Sequence, residues 1–148
     1  MGDLINTLFS EAMKIQQIFV GGEITAQDYP ASGSFISVRG LHRFAFLIGV
    51  GTIDSILTCK IQQADAIDGT PKDITDAVIV IPADGDDKWY IVEREVGHLD
   101  MNNGYDHVLL DVAGATGNDN AAVFFLGYGA RVPVTQGADY GARVVVVG

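Results

Sequence analysis

Ile53-Asp-Ser-Ile-Leu-Thr-Cys-Lys-Ile-Gln-Gln63 is the stretch that decides the fold class of this chain. Ile53, Leu57, Cys59 and Ile61 fall on one face of an extended chain, while Asp54, Thr58, Lys60 and Gln62 fall on the other. Successive side chains of a strand point to opposite sides, so this alternation predicts one face in a core and one in water. Phe44, Phe46, Ile48 and Val50 line up in the same way, as do Val108, Leu110 and Val112. Working outward on β-branched and aromatic runs bounded by Gly, Asp and Asn, strands are expected over residues 35–39, 43–50, 53–63, 77–81, 89–96, 107–113, 121–127 and 143–147. Eight strands suit two packed sheets, which makes the chain an all-β, two-sheet β-sandwich. Residues 78–81, 123–126 and 144–147 are apolar on both faces, as in a central strand or one covered by a partner. The last of these runs is an aggregation hazard unless paired.

The 148 residues, 48% of them hydrophobic, suffice for one domain that buries roughly two thirds of its unfolded surface. A mean hydropathy of +0.24 with only 19% charged residues leaves little polar cover for a monomer, so some apolar surface is expected to meet another subunit. Nineteen acidic against nine basic residues give a formal charge of −10, which repels a polyanion and argues against nucleic-acid binding. The single Cys59 offers no internal disulfide, and Met1-Gly2-Asp3 has no basic lead to a secretion signal, so a protein made in a reducing cytoplasm is expected. Gly2 does not open a myristoylation motif, because Asn6 stands where Ser or Thr is required.

The first twenty residues follow a different period. On a helical wheel Leu4, Ile5, Leu8, Phe9, Ala12, Met13, Ile15 and Phe19 gather on one half, opposite Asn6, Thr7, Ser10, Glu11, Lys14 and Gln17. A short N-terminal amphipathic helix is therefore expected, capped by Asp3 and ended by Gly21-Gly22, with a Pro- and Gly-containing linker after it. This divides the chain into a helical arm and linker over residues 1–34 and a sandwich over residues 35–148. The helix either covers one end of its own sandwich or docks on a neighbouring subunit. With Lys14 as the only basic residue on its polar face, it is poorly suited to a membrane surface. Leu4, Leu8, Phe9 and Phe19, together with Val144 and Val146 of the last strand, are the candidate partner contacts.

Candidate chemistry is sparse, and no catalytic residue, cofactor or metal site is expected. Asp84-Gly-Asp-Asp87 lacks the spaced ligands and terminal Glu of a calcium loop and reads as a hairpin connection. Gly117-Asn-Asp-Asn120 reads as a solvated turn. Cys59 sits at an inward position, as a small buried hydrophobe does. His98 and His107 could approach one another across the intervening loop, but the sequence has no further Cys or His at zinc spacing. Gly49-Val-Gly51 and Gly127-Tyr-Gly129 lack the third glycine and following helix of a dinucleotide fingerprint. Asn103-Gly104 and Asp68-Gly69 are expected to supply the positive φ angles of tight turns. Leu99 and Tyr105 would flank a loop whose Asp100, Asn102 and Asn103 bond backbone amides. That rim, with Trp89, is a possible recognition surface for sugar or protein.

Ile61-Gln-Gln-Ala-Asp65, Asp68-Gly-Thr-Pro-Lys-Asp-Ile74, Val92-Glu93, Leu99-Asp-Met-Asn-Asn-Gly-Tyr105 and Val108-Leu-Leu-Asp-Val112, in that order and spacing, resemble small virion structural proteins of tailed bacteriophages. Leu4-Ile-Asn-Thr-Leu8 is similar to the opening of that family. The resemblance implies a jelly-roll-like capsid cement or decoration protein that is not an enzyme. Such a protein binds the outer surface of the expanded head and bridges subunits of the major capsid protein. It would be a homo-oligomer, trimeric or dimeric, with neither nucleic acid nor membrane as a partner. The alternatives are a low-copy head–tail connector or tail component, and a small carbohydrate-binding module using Trp89, Tyr90 and Tyr105.

Overall fold

The computed structural model describes residues 12–129 and 141. Among these, the strands are β1 Met13–Glu23, β2 Asp28–Tyr29, β3 Ile36–Ser37, β4 Arg43–Val50, β5 Leu57–Ala64, β6 Lys72–Ile81, β7 Trp89–Glu95, β8 His107–Ala113 and β9 Asn120–Tyr128. Two single 3-10 turns, Val96–His98 and Met101–Asn103, follow β7. One sheet has the order β1-β9-β4-β7, and the other has β2-β8-β5-β6 with β3 also paired to β8.

The pairing is nested. β5 pairs with β6, β4 with β7, β2 and β3 with β8, and β1 with β9, all antiparallel. A single long hairpin with its tip between β5 and β6 has this pattern. Rolling it up sets β4 beside β9 and β5 beside β8, which closes the two sheets over one another. With β2 and β3 counted as one interrupted strand, the described residues form an eight-stranded jelly-roll sandwich. Rolling is favoured because each sheet has one strongly apolar face that needs a cover. Phe44 and Phe46 of β4 and Phe125 of β9 form the centre, with ring centroids 5.6 to 6.5 Å apart. Leu57, Cys59 and Ile61 of β5 and Leu110 and Val112 of β8 join them in the same core.

The expected N-terminal helix is overturned from Met13 onward, where β1 pairs along β9. The register of that pair shifts between Gln17 and Phe19 and again between Phe19 and Gly22. Each shift moves the apolar phase by a residue, so Ile15, Ile18 and Phe19 acquire the three- and four-residue spacing of a helix while lying in a strand. Gly21 and Gly22 do not end a helix; they stand inside β1 with φ of 107° and 131°, which suits a bulged strand. Ile15, Ile18 and Val20 are β-branched, a composition that favours the pleated state. Residues 24–34, expected as linker, place Asp28–Tyr29 on β8 and bury Ile24 and Tyr29 in the core.

Most expected strands are present within a few residues. β5 begins at Leu57, and the buried Ile53 belongs to the preceding loop. β6 begins five residues before Ala77. The two doubly apolar runs that fall on described residues have different explanations. Residues 123–126 lie on β9, in the middle of its sheet, whereas residues 78–81 lie on the edge strand β6, with Val78 and Val80 47% and 56% exposed.

Candidate interaction surfaces

The motif stretches that carry the virion resemblance meet at one corner of the sandwich. Gln63, near the end of β5, accepts the Asp100 amide at 2.8 Å. Lys72, at the start of β6, reaches Asp100 Oδ2 at 2.5 Å and stands 3.8 Å from the centroid of the Tyr105 ring. Asn103 donates through Nδ2 to both Asp100 oxygens. Hydrogen bonding from Lys72 and Asn103 lowers the Asp100 carboxyl below its ordinary range, and the same carboxylate raises the Lys72 ammonium. Asp100 was expected to bond backbone amides; besides a backbone hydrogen bond from Asn103, it ties together side chains from β6 and its own loop. Gly104 has the expected positive φ of 81°, as the residue closing the Met101–Asn103 turn. Gly69 does not share that role; a Cβ there would displace the Asp65 carboxylate and crowd the Ala66 backbone nitrogen at 3.0 Å.

Two buried carboxylates organise further loops. Asp119 is fully buried and accepts the amides of Asp54 at 2.9 Å, Ser55 at 3.0 Å and Thr116 at 3.1 Å. The 117–120 turn is therefore not a solvated loop at Asp119. Burial opposes ionisation of this carboxyl, and the amide hydrogen bonds outweigh it, leaving the group below the ordinary range. Asp106 is nearly as buried; it is paired with Arg39 Nε and lies 2.7 Å from His107 Nδ1. Burial again acts against the charge, and Arg39 and His107 overcome it. The sequence reading missed both acids, since a lone Asp at a strand end carries no signal of its burial.

The candidate reactive groups are dispersed. Cys59 is wholly buried, and burial with the nearby Asp111 charge pushes its thiol up to about 12. His98 faces Glu95 at 3.7 Å and His107 faces Asp106, so each histidine has its own acid. Among the described residues, no group of three or more His, Cys, Asp or Glu is placed to hold a metal ion. The Asp84–Asp87 stretch does not close a hairpin, because it carries the chain from β6 in one sheet to β7 in the other. Its Asp86 accepts the Ile53 amide at 2.9 Å.

The aromatic residues do not form a common platform. Trp89 opens β7 and the Leu99–Tyr105 loop lies beyond its other end, a strand length of about 20 Å away. Tyr90 packs against the core and lies 3.4 Å from the Gly85 carbonyl, and the Tyr105 face is occupied by Lys72. Phe19 stands half-buried on β1, edge to face with Tyr29 at 5.4 Å. Leu4, Leu8, Phe9, Val144 and Val146 lie outside the described residues.

The outer faces carry more apolar surface than their positions predict. Leu47, Phe124 and Leu126 point outward, opposite the core residues Phe46 and Phe125, and are half-buried. Trp89 and Ile91 continue that face on β7 with 68% and 40% exposure. On the other sheet Val78 and Val80 are open to solvent, and Ile56 near them is 60% exposed.

No protein-family model and no curated protein matches the chain. Among solved structures it is similar to the SPBc2 prophage-derived protein YomS, with 13% identity and a TM-score of 0.46 over 78% of this chain and 91% of that one. It is similar to the Tobacco streak virus coat protein with 10% identity and a TM-score of 0.39, covering 93% of this chain and 99% of that one. The infectious bursal disease virus Gx strain structure matches with 11% identity and a TM-score of 0.35, over 84% of this chain and 34% of that one.

Proposed function

We propose that this protein is a non-enzymatic structural component of a virion, and that it acts there as a capsid cement or decoration protein. The observation that carries the reading is a jelly roll with internally locked loops and exposed apolar side chains on both outer faces, Trp89 and Ile91 on one and Val78 and Val80 on the other. A protein with contact surfaces on two sides can bridge neighbouring major capsid subunits, and each added contact raises the effective concentration for the next. The formal charge of −10 suits the outside of a head better than its DNA-lined interior. The motif resemblance points the same way, and its residues build the Gln63–Lys72–Asp100 corner that holds the loops in place. Self-association as a trimer or dimer belongs to the proposal.

The test is the number of copies bound per major capsid subunit when the protein is added to expanded, undecorated heads. Near-stoichiometric, saturable binding that raises the temperature of head disruption is expected. A handful of copies would replace cement by a connector or tail component, and no binding would refute the capsid reading.

A further inference from the structure

We propose that the outer edge of β6 is a strand-addition site for an extended segment of a partner protein with apolar residues flanked by Lys or Arg. This inference goes beyond the virion reading and does not depend on it.

β6 ends its sheet, and among the described residues no strand pairs with its far side. Exposed edges of this kind are usually blunted by charge, proline or irregularity, because they template pairing with other chains. The first half of β6 is blunted. Its register against β5 breaks between the Lys60–Val78 and Gln62–Asp73 pairs, Asp76 takes a φ of 61°, and the Thr75 carbonyl is taken by Arg94 from β7. The second half is not. Val78 to Ile81 pairs regularly with β5, carries no charge and no proline, and leaves Val78 and Val80 open on the outward face. An added strand along these four residues gains main-chain hydrogen bonds, with alternate side chains giving selectivity.

The surrounding charge selects the occupant. Around this edge the chain has five exposed acidic residues, Asp76, Asp84, Asp86, Asp87 and Glu93, against two bases, Lys88 and Arg94, the second of them bound to the Thr75 carbonyl in the blunted half. Lys60, which pairs in register with Val78, is held by Asp73 at 3.1 Å, so its charge is already partnered. A second copy of this chain would bring the same acidic rim to the edge and be repelled, whereas a segment with flanking Lys or Arg meets apolar residues at its centre and carboxylates at its ends. Trp89, the only tryptophan, opens β7 immediately after this rim and serves as a local reporter.

The probe is a synthetic peptide of alternating Val and Thr with Lys at both ends, titrated into the full chain while Trp89 emission and backbone amide shifts are followed. Binding is expected, with amide shifts confined to residues 78–81 and the facing part of β5. A peptide with Glu in place of Lys, and one with Pro at its centre, should each bind at least ~10-fold more weakly. The double variant Val78→Thr, Val80→Thr keeps strand-forming residues and should weaken binding. Asp84→Asn with Asp87→Asn should flatten its salt dependence, since Asn also tolerates the positive φ of 56° at position 87. Equal binding of the Lys and Glu peptides, amide shifts elsewhere, or no binding up to about 1 mM peptide would overturn the proposal. So would self-association of the chain that Val78→Lys with Val80→Lys abolishes, because it would assign the edge to a second copy.

Discussion

Replacing Asp119 with alanine removes the one acceptor shared by the amides of Asp54, Ser55 and Thr116. The site is fully buried, so water cannot replace the carboxylate without the loop opening. Leaving a buried donor unsatisfied costs about 1–3 kcal/mol. With partial relaxation of the 114–119 loop, the three together should cost about 3–5 kcal/mol, a large share of the ~5–15 kcal/mol that stabilises a domain. The corresponding fall in Tm is roughly 10–15 °C for a chain of this size. Asp119→Asn keeps one oxygen, enough for the Asp54 and Ser55 amides, but sets an NH2 group against the Thr116 amide; its cost should be about 1–3 kcal/mol.

The pH dependence of this effect has a fixed sign. The Asp119 carboxyl is held below its unfolded value, so its contribution is fully present above the unfolded pKa and is lost as pH falls through the folded one. The stability gap between wild type and Asp119→Asn should therefore be constant from neutral pH down to about 5 and close below about 4. Urea unfolding of the three proteins, followed by Trp89 fluorescence at pH 7 and along an acid series, measures both quantities. A loss below ~1 kcal/mol for the alanine variant would refute the assignment of Asp119 as the organiser of these loops.

Asp28 and Asp111 face each other across β2 and β8, and burial, followed by hydrogen bonding to Asp111 and its charge, raises the Asp28 carboxyl. A raised carboxyl adds stability as pH falls through its folded value, so Asp28→Asn should stabilise the protein at pH 7 by up to about 1 kcal/mol, read as a higher urea midpoint, and lose that advantage on acidification. A lower midpoint at pH 7 would count against like-charge strain at this pair. Cys59 should be inert to a thiol reagent in the native protein at pH 8 and titrate as one thiol in denaturant, because burial holds its thiol up at about 12. Rapid native labelling would contradict that burial. Phe125→Ala removes a ring that packs on Phe44 and Phe46, and should cost about 3–5 kcal/mol in thermal or urea unfolding.

The sequence by itself determined the fold class and most strand positions, because each depends on local alternation. Phe44, Phe46, Ile48 and Val50 point inward whatever the topology, and the residues between them point outward. It did not determine β1, where two register shifts gave Met13 to Phe19 a helical spacing that only pairing with β9 resolves. Nor could it show that residues 78–81 end a sheet while residues 123–126 lie inside one, since both are apolar on two faces and only the rolled pairing order separates them. The stretches behind the virion resemblance were visible as conspicuous turns, but their meeting at Asp100 joins residues 63, 72, 100 and 105 across two strands and a loop. The same holds for Asp119, whose partners lie 3, 64 and 65 residues away. Contacts of that separation exist only once the long hairpin has rolled up, which is why the strands were legible in the chain while its loop locks and the β6 edge, unpaired among the described residues, were decided by the tertiary structure.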